Sequence, residues 1–535
     1  MTWFSLPAMR ADKPPAFADM ATCTDWLNTQ PLANAPLMQD VLATQLDSLN
    51  GWQISPRERY KILETLRKAV VAIETESIKR YEYRPLPLLP IEQKAFDASC
   101  RIWRGLAIGY LHCLRACLDG DSALAEHRAK IVHRTLVSLR LEQLSRYRGG
   151  SVVPGSWWRL LHAVLASAEQ LGVTDTSISD RLFAETREST PAAQYAMAIL
   201  LHLSRPHELS RSQFSAAVRW LARWREQAKM LSSAAAARDA RSVLIDLSSD
   251  TAVHTGSTSP AMPRWLVVDN ALGKLKNRIK SLREGQSPEE LRLGAGLPAD
   301  ACIGLMQFLH GALQSPSAPL TNSRDEKRSI GVSSTVEGIH RLLGGKPVGV
   351  EVAATTKSNR TVHEQIAIFG HAGAAERIES AGASQTAAAR LEQWRLVAES
   401  NGELTLLRAP GSDGERLGSR SLIAVSDPIA GLPSLAMVRS LAVLEDGSLC
   451  AIVRLLPSAP LPFVATGREK MTNRVVQYPA IFLPAAGQVD KPASLFVPAG
   501  AMAKLTRLDV SDLPDGLKVG SPLDRGANFE RLRCE

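Results

Sequence analysis

The sequence predicts a multidomain α+β protein, in which an all-α N-terminal region, a solenoid or an irregular bundle, precedes a C-terminal region of β-barrel type. Three observations lead there. The chain has 535 residues, more than one hydrophobic core organises, so two to three domains are expected. From about Cys23 to Leu231 the apolar residues recur at helical spacing, with almost no alternating runs. After residue 324 the period changes to short β-type runs separated by Gly and Pro turns.

In chain order, a helix from Leu37 to Leu49 stops at Asn50-Gly51, a good terminator. Ser55-Pro56-Arg57-Glu58 then offers an N-cap Ser, Pro at the first helical position and Glu at the third, a capping box. Tyr60, Leu63, Leu66, Val70 and Ile73 follow on one face. Arg84-Pro-Leu-Pro-Leu-Leu-Pro90 excludes regular helix, because proline removes backbone donors, and reads as an extended connector. Helical patterns resume over Ile91 to Leu118, Glu126 to Tyr147, Trp157 to Leu171, Pro191 to Leu203 and Ser212 to Leu231. Nine of the ten tryptophans precede residue 270, so the large aromatic anchors, such as Trp157/Trp158 and Trp220/Trp224, belong to the helical part.

Ala, Ser, Thr and Gly dominate between Ser232 and Pro263, which marks a first boundary. Two more helices are expected, Asn270 to Leu282 and one capped by Ser287-Pro288-Glu289-Glu290, before a polar loop from Gln314 to Ser323 marks the second boundary. β-type runs follow at Ser329 to Ser333, Val348 to Ala353, Gln365 to Phe369, Leu404 to Arg408, Ser421 to Val425, Leu435 to Leu444, Ser448 to Leu456, Ala480 to Leu483 and Ser494 to Val497. Asp446-Gly447 between two of them is a strong hairpin signal. The expected domains are residues 20–235 (helical), 236–323 (helical connector and polar loop), 324–470 (barrel, with an insert near 373–390) and 471–535 (a further β-rich segment).

Hydrophobic residues at 45% and charged residues at 22% are ordinary globular proportions and argue against global disorder. Seven cysteines, an odd number spread thinly, suggest no disulfide framework and fit a reducing compartment. No secretory signal is visible and the apolar runs are far short of a membrane span, so the expected location is the cytoplasm. The net charge of +9 permits an anionic partner without demanding one. No Lys/Arg block or interleaved aromatic and basic pattern is present, which makes a nucleic-acid polymer an unlikely partner.

Catalytic motifs fail. Gly338 to Lys346 has the wrong spacing for a phosphate loop, and Pro347 stands where a magnesium-holding Ser/Thr is needed. His112, Cys113 and Cys117 lack a fourth partner for a tetrahedral metal site and read as core packing. Arg324-Asp-Glu-Lys-Arg328 is more informative, because it directly precedes the first strand and its two arginines can converge on one anion.

Here the chain resembles the PilZ domains, small bacterial β-barrels that bind cyclic di-GMP through an Arg-x-x-x-Arg and a downstream Asp/Asn-x-Ser-x-x-Gly. Ala398-Glu399-Ser400-Asn401-Gly402-Glu403 aligns with the second signature in worn form: Ser400 matches, Ala398 replaces the Asp/Asn, and Glu403 replaces the Gly. The resemblance covers roughly residues 324–460. It implies a ligand site of Arg324, Arg328, Glu399, Ser400, Asn401 and Gly402, with cyclic di-GMP as ligand and no cofactor or metal. It further implies a bacterial cytoplasmic regulatory or adaptor protein that relays binding to a protein partner through the helical domain, with no chemical step. The alternatives are a scaffold whose barrel has lost nucleotide binding and an enzyme whose site uses scattered residues that no motif reveals.

Overall fold

The computed structural model describes residues 4–9, 14–183, 188–238, 240–255, 257–315, 328–348, 391–428, 431–485, 492–510 and 513–535. Two compact units divide the chain, Met1–Thr321 with Ala442–Glu445, and Asn322–Leu441 with Asp446–Glu535. The order is the predicted one, helices first and then sheets that include a closed barrel.

In the first unit, α1 (Met20–Asn28), α2 (Ala35–Gly51) and α3 (Pro56–Ser77) lead into α4 (Pro90–Leu118), which packs along α5 (Arg128–Arg148). Ser55 caps α3, its Oγ accepting from the Glu58 N–H at 3.3 Å. The expected box is only half made, because the Glu58 carboxylate accepts instead from the Met20 N–H at 2.9 Å and so helps to start α1. Gly109 lets α4 approach α3, since a Cβ there would stand 2.7 Å from Leu63 Cδ2. After α6 (Gly155–Gln170) come two short paired strands, β1 (Ile178–Ser179) and β2 (Glu188–Ser189), then α7 (Pro191–Leu203) and α8 (Arg211–Trp224). Trp157, Trp158, Trp220 and Trp224 are buried among these helices.

Two expectations in this unit are corrected. The helix expected to reach Leu231 ends at Trp224, and β3 (Lys229–Leu231), α9 (Ala234–Ala237), β4 (Ser242–Asp246) and β5 (Pro263–Val267) follow. β5 pairs with both β3 and β4, and Val243, Ile245 and Leu266 join the helical core, so the Ala/Ser/Thr/Gly stretch is integrated into the unit. The second correction follows α10 (Asp269–Arg283). Ser287 and Glu290 do make both reciprocal capping contacts, at 3.2 and 2.9 Å. The turn nevertheless stops at once, because Arg292 and Gly294 take φ of 56° and 90°, and α11 begins only later (Ala299–Gln314).

The second unit holds β6 (Arg328–Ser333), α12 (Val336–Leu342), β7 (Glu392–Ser400), β8 (Glu403–Arg408), β9 (Leu422–Ser426), β10 (Ser434–Val443) and β11 (Leu449–Leu455). Its six strands close into a barrel in the order β10-β11-β8-β7-β6-β9, with β9 returning to β10. Gly447 takes φ 82° in the turn between β10 and β11, where Asp446-Gly447 predicts one. β12 (Leu461–Glu469), β13 (Val475–Leu483), β14 (Ser494–Pro498), β15 (Leu505–Val510), β16 (Val519–Arg525) and β17 (Phe529–Cys534) form a second sheet, ordered β15-β12-β13-β14-β17-β16. The barrel strands thus end at Leu455 rather than near residue 470, because Pro457 and Pro460 interrupt the ladder and Leu461–Glu469 pairs with β13 and β15. Val336 and Ile339 of α12 pack against Leu422 and Leu435 of the barrel and against Phe496 and Phe529 of the second sheet. Each such side chain contributes about 2 kcal/mol of burial. Arg324, the 373–390 insert and the strands expected at Val348 to Ala353 and Gln365 to Phe369 lie, Val348 apart, outside the described residues.

Candidate ligand site at one end of the barrel

β6, β7, β8 and β9 run antiparallel to their neighbours, so the start of β6, the end of β7, the start of β8 and the end of β9 share one end of the barrel. The β7–β8 connection sets the geometry there. Ser400 pairs with Glu403, which leaves Asn401-Gly402 as the whole loop, with φ of 50° and 74°. Positive φ at both central positions is the tight hairpin turn for which Asn-Gly is the preferred pair. The residues that align with the worn motif are therefore a hairpin tip, and Glu399, Ser400, Asn401 and Gly402 are all exposed on it.

Arg328, the first residue of β6, stands beside this hairpin. Its Nη2 lies 2.6 Å from the Asp427 carboxylate, just past β9, and 3.3 Å from that of Glu399. Its Nε is screened from solvent and has no hydrogen-bond partner among the described residues. The structure thus brings Arg328 and Glu399 into contact, places Ser400, Asn401 and Gly402 on the adjacent tip, and leaves Arg324 outside the described residues.

Glu403 centres a second cluster. Its carboxylate accepts from Arg439 Nη1 at 2.6 and 2.8 Å and from Arg454 Nη2 at 2.7 Å. Partial burial raises this carboxyl, but the hydrogen bonds from Arg454 and Arg439 outweigh that and hold it below the ordinary carboxylate range. The negative charge beside the hairpin is therefore balanced locally by two guanidiniums. Sequence reasoning does not reach Asp427, Arg439 or Arg454. The last two carry a signal, since they stand equally far on either side of Asp446-Gly447, and a hairpin turning there makes them neighbours. At the opposite end of the barrel Arg408, 3% exposed, donates to Glu392 and to the Glu415 carbonyl at 2.9 Å each and lies over the Trp394 ring, tying the wall to itself.

Cys113 and Cys117 are buried on α4, and burial pushes their thiols up to about 12 and about 11. Among the described residues no group of three or more His, Cys, Asp or Glu could hold a metal ion. No helix among them is long and apolar enough to cross a membrane.

The helical part matches a known family. Residues 21–235 match the model of the cyclic-di-GMP receptor FimW, N-terminal domain. The FimW match runs from α1 into α9, covers less than half of the chain and does not include the barrel. No curated protein and no solved structure matches the chain. Inside the FimW-matched region a partly buried charge network joins three helices to the segment after β1. Asp180 accepts from Arg67 and Arg134 at 2.7 Å each, and Glu64 accepts from Tyr110 at 2.7 Å and Lys130 at 2.8 Å. Burial raises Glu64, but Arg134 and Arg67 overcome it and bring the carboxyl to about 2.

Proposed function

We propose that this chain is a cyclic di-GMP receptor of regulatory or adaptor type that binds the dinucleotide at the hairpin end of a PilZ-like barrel and relays it to a protein partner through the helical unit. The observation that carries the reading is the match of residues 21–235 to the N-terminal domain of a cyclic-di-GMP receptor. The barrel supports it independently. Arg328 keeps an unpartnered Nε at its rim, and a guanidinium suits both a phosphodiester and the O6/N7 edge of guanine. Glu399 and Asp427, which orient Arg328, also suit the N–H donors of a guanine base. In this reading Arg324 and Arg328 clamp the ligand, while Ser400 and the backbone of Asn401 and Gly402 line the exposed tip. The protein acts by differential binding, with no chemical step.

Isothermal titration of the full chain with cyclic di-GMP tests it. Saturable heat from the wild type and a loss of affinity of tenfold or more in Arg324→Ala/Arg328→Ala is the expected result. A second reading is favoured by the ion pairs themselves: with Arg328 held by two carboxylates and Arg439 and Arg454 held by Glu403, the barrel is a self-satisfied scaffold. No heat from the wild type at saturating dinucleotide would leave that reading standing.

A further inference from the structure

A different group of cations lies in the first unit, on the hairpin of α10 and α11, outside the stretch that matches the FimW domain. α10 carries Lys274, Lys276, Arg278, Lys280 and Arg283 within fifteen residues. Lys276, Ile279, Lys280 and Arg283 fall at i, i+3, i+4 and i+7 and so share one face. That face and the side chains of Gln307 and His310 on α11 line a groove of about 520 Å³, a volume in the range of small-ligand sites. Leu272, Leu275 and Leu282 of α10 and Leu305, Met306 and Leu309 of α11 lie in the same buried core, which gives the groove a rigid frame.

Its polar groups are left incomplete. Among the described residues no carboxylate pairs with Lys276 or Arg283, and the one acid in the lining, Glu284, lies 3.7 Å from Lys280. His310 Nε2 is screened from solvent and makes no hydrogen bond among the described residues. Partial burial, then Lys276 and Arg241, hold this imidazole below its ordinary range, and a neutral ring can present a single N–H from Nε2. Lys276, Lys280 and Arg283 are exposed, whereas the buried guanidiniums of Arg67 and Arg134 each meet a carboxylate at 2.7 Å. A groove that gathers three cations, only one of them paired, around a stranded ring nitrogen can accept an anion.

We propose that this groove is a binding site for a phosphate-bearing small molecule, with Lys276, Lys280 and Arg283 taking the phosphoryl oxygens and His310 Nε2–H donating to one of them. Ile279 offers an apolar wall to the rest of the ligand. A small anion fits better than a polymer, because the cations span only eight residues of helix, about 10 Å, whereas a nucleic-acid backbone or an acidic tail is tracked by a longer stripe. A screened imidazole nitrogen is also reached only by an atom that enters the groove. The inference does not depend on the barrel site.

Inorganic pyrophosphate is the probe, titrated calorimetrically into the full chain at low salt. Binding by the wild type, weakened about tenfold or more in Lys276→Ala/Arg283→Ala and clearly weakened in His310→Ala, is the expected result. Lys274→Ala/Arg278→Ala removes the same charge from the same helix without touching the groove lining, and it should change affinity by no more than about twofold, the share due to the general field. No binding by the wild type, or equal losses in the two double variants, would overturn the proposal. Polyglutamate binding as tightly as pyrophosphate, per site, would overturn it in favour of an acidic protein partner. Cyclic di-GMP affinity lost in Lys276→Ala/Arg283→Ala but kept in Arg328→Ala would place the dinucleotide in this groove, supporting this site while removing the barrel one.

Discussion

Glu74 holds a carboxyl that is 5% exposed, facing Gln39 of α2, whose Nε2 donates to it at 3.0 Å, and Ser99 of α4. Tyr81 and Cys100 are the neighbouring titratable groups, and both are pushed far up by burial. Burial outweighs the two hydrogen bonds and raises Glu74 from the ordinary 4.5 to about 7. The folded state therefore keeps a proton that the unfolded chain gives up near 4.5. Its contribution to stability is whole below that pH and is lost as pH rises through about 7, by about 3 kcal/mol for the full shift. Glu64, held at about 2, is ionised in both states above about pH 6 and adds little slope there. Relative to the wild type, Glu74→Gln is expected to gain about 2 to 3 kcal/mol of urea-unfolding free energy between pH 5 and pH 8, because the buried imidazoles of His112, His133, His162, His202 and His207, all held low by burial, add the same rise with pH to both proteins. Equal slopes in the two proteins would mean that the proton is held elsewhere.

The β7–β8 hairpin shows both how an element becomes legible and how it is missed. Asn401-Gly402 is a hairpin signal by itself, yet alignment to a ligand motif draws attention to Ser400 and Glu403 as isolated side chains, when their pairing across a two-residue turn fixes where both point. Because Gly402 sits at φ 74°, Gly402→Ala should destabilise the barrel unit by about 1 kcal/mol, whereas Asn401→Gly, which keeps the left-handed region open, should stay within a few tenths. Urea midpoints of the two variants check this, and equal effects would contradict the turn. Helices of the first unit were the readable elements, since cap and apolar period are local, and α7 has the bounds the sequence predicts. β3, β4 and β5 were not, because strands of three to five residues gain their meaning from partners far along the chain. The ion pairs of the barrel rim fail for the same reason: nothing near Arg328 in sequence names Asp427, and nothing near Glu403 names Arg439.

Each unit buries its own apolar side chains: one cluster runs through α2 to α8 and the β3–β5 sheet, and separate clusters fill the second sheet and surround α12. Units with their own cores unfold as separate cooperative transitions unless their interface is large and apolar, so calorimetry of the full chain is expected to show two. Glu74 supplies the label that assigns them. It belongs to the helical unit, so at pH 8 Glu74→Gln should raise that transition above its wild-type position and leave the transition of the β unit in place. With the transitions assigned, a ligand reports its own address, because only the unit that binds it is stabilised, by about 2.7 kcal/mol at a hundredfold excess over Kd. Cyclic di-GMP at the Arg328 rim should raise the β-unit transition, and pyrophosphate in the Lys276 groove should raise the helical one. A dinucleotide that moves only the helical transition would exclude the barrel as its site, and a single transition that moves as a whole under both Glu74→Gln and ligand would mean that the units unfold as one body.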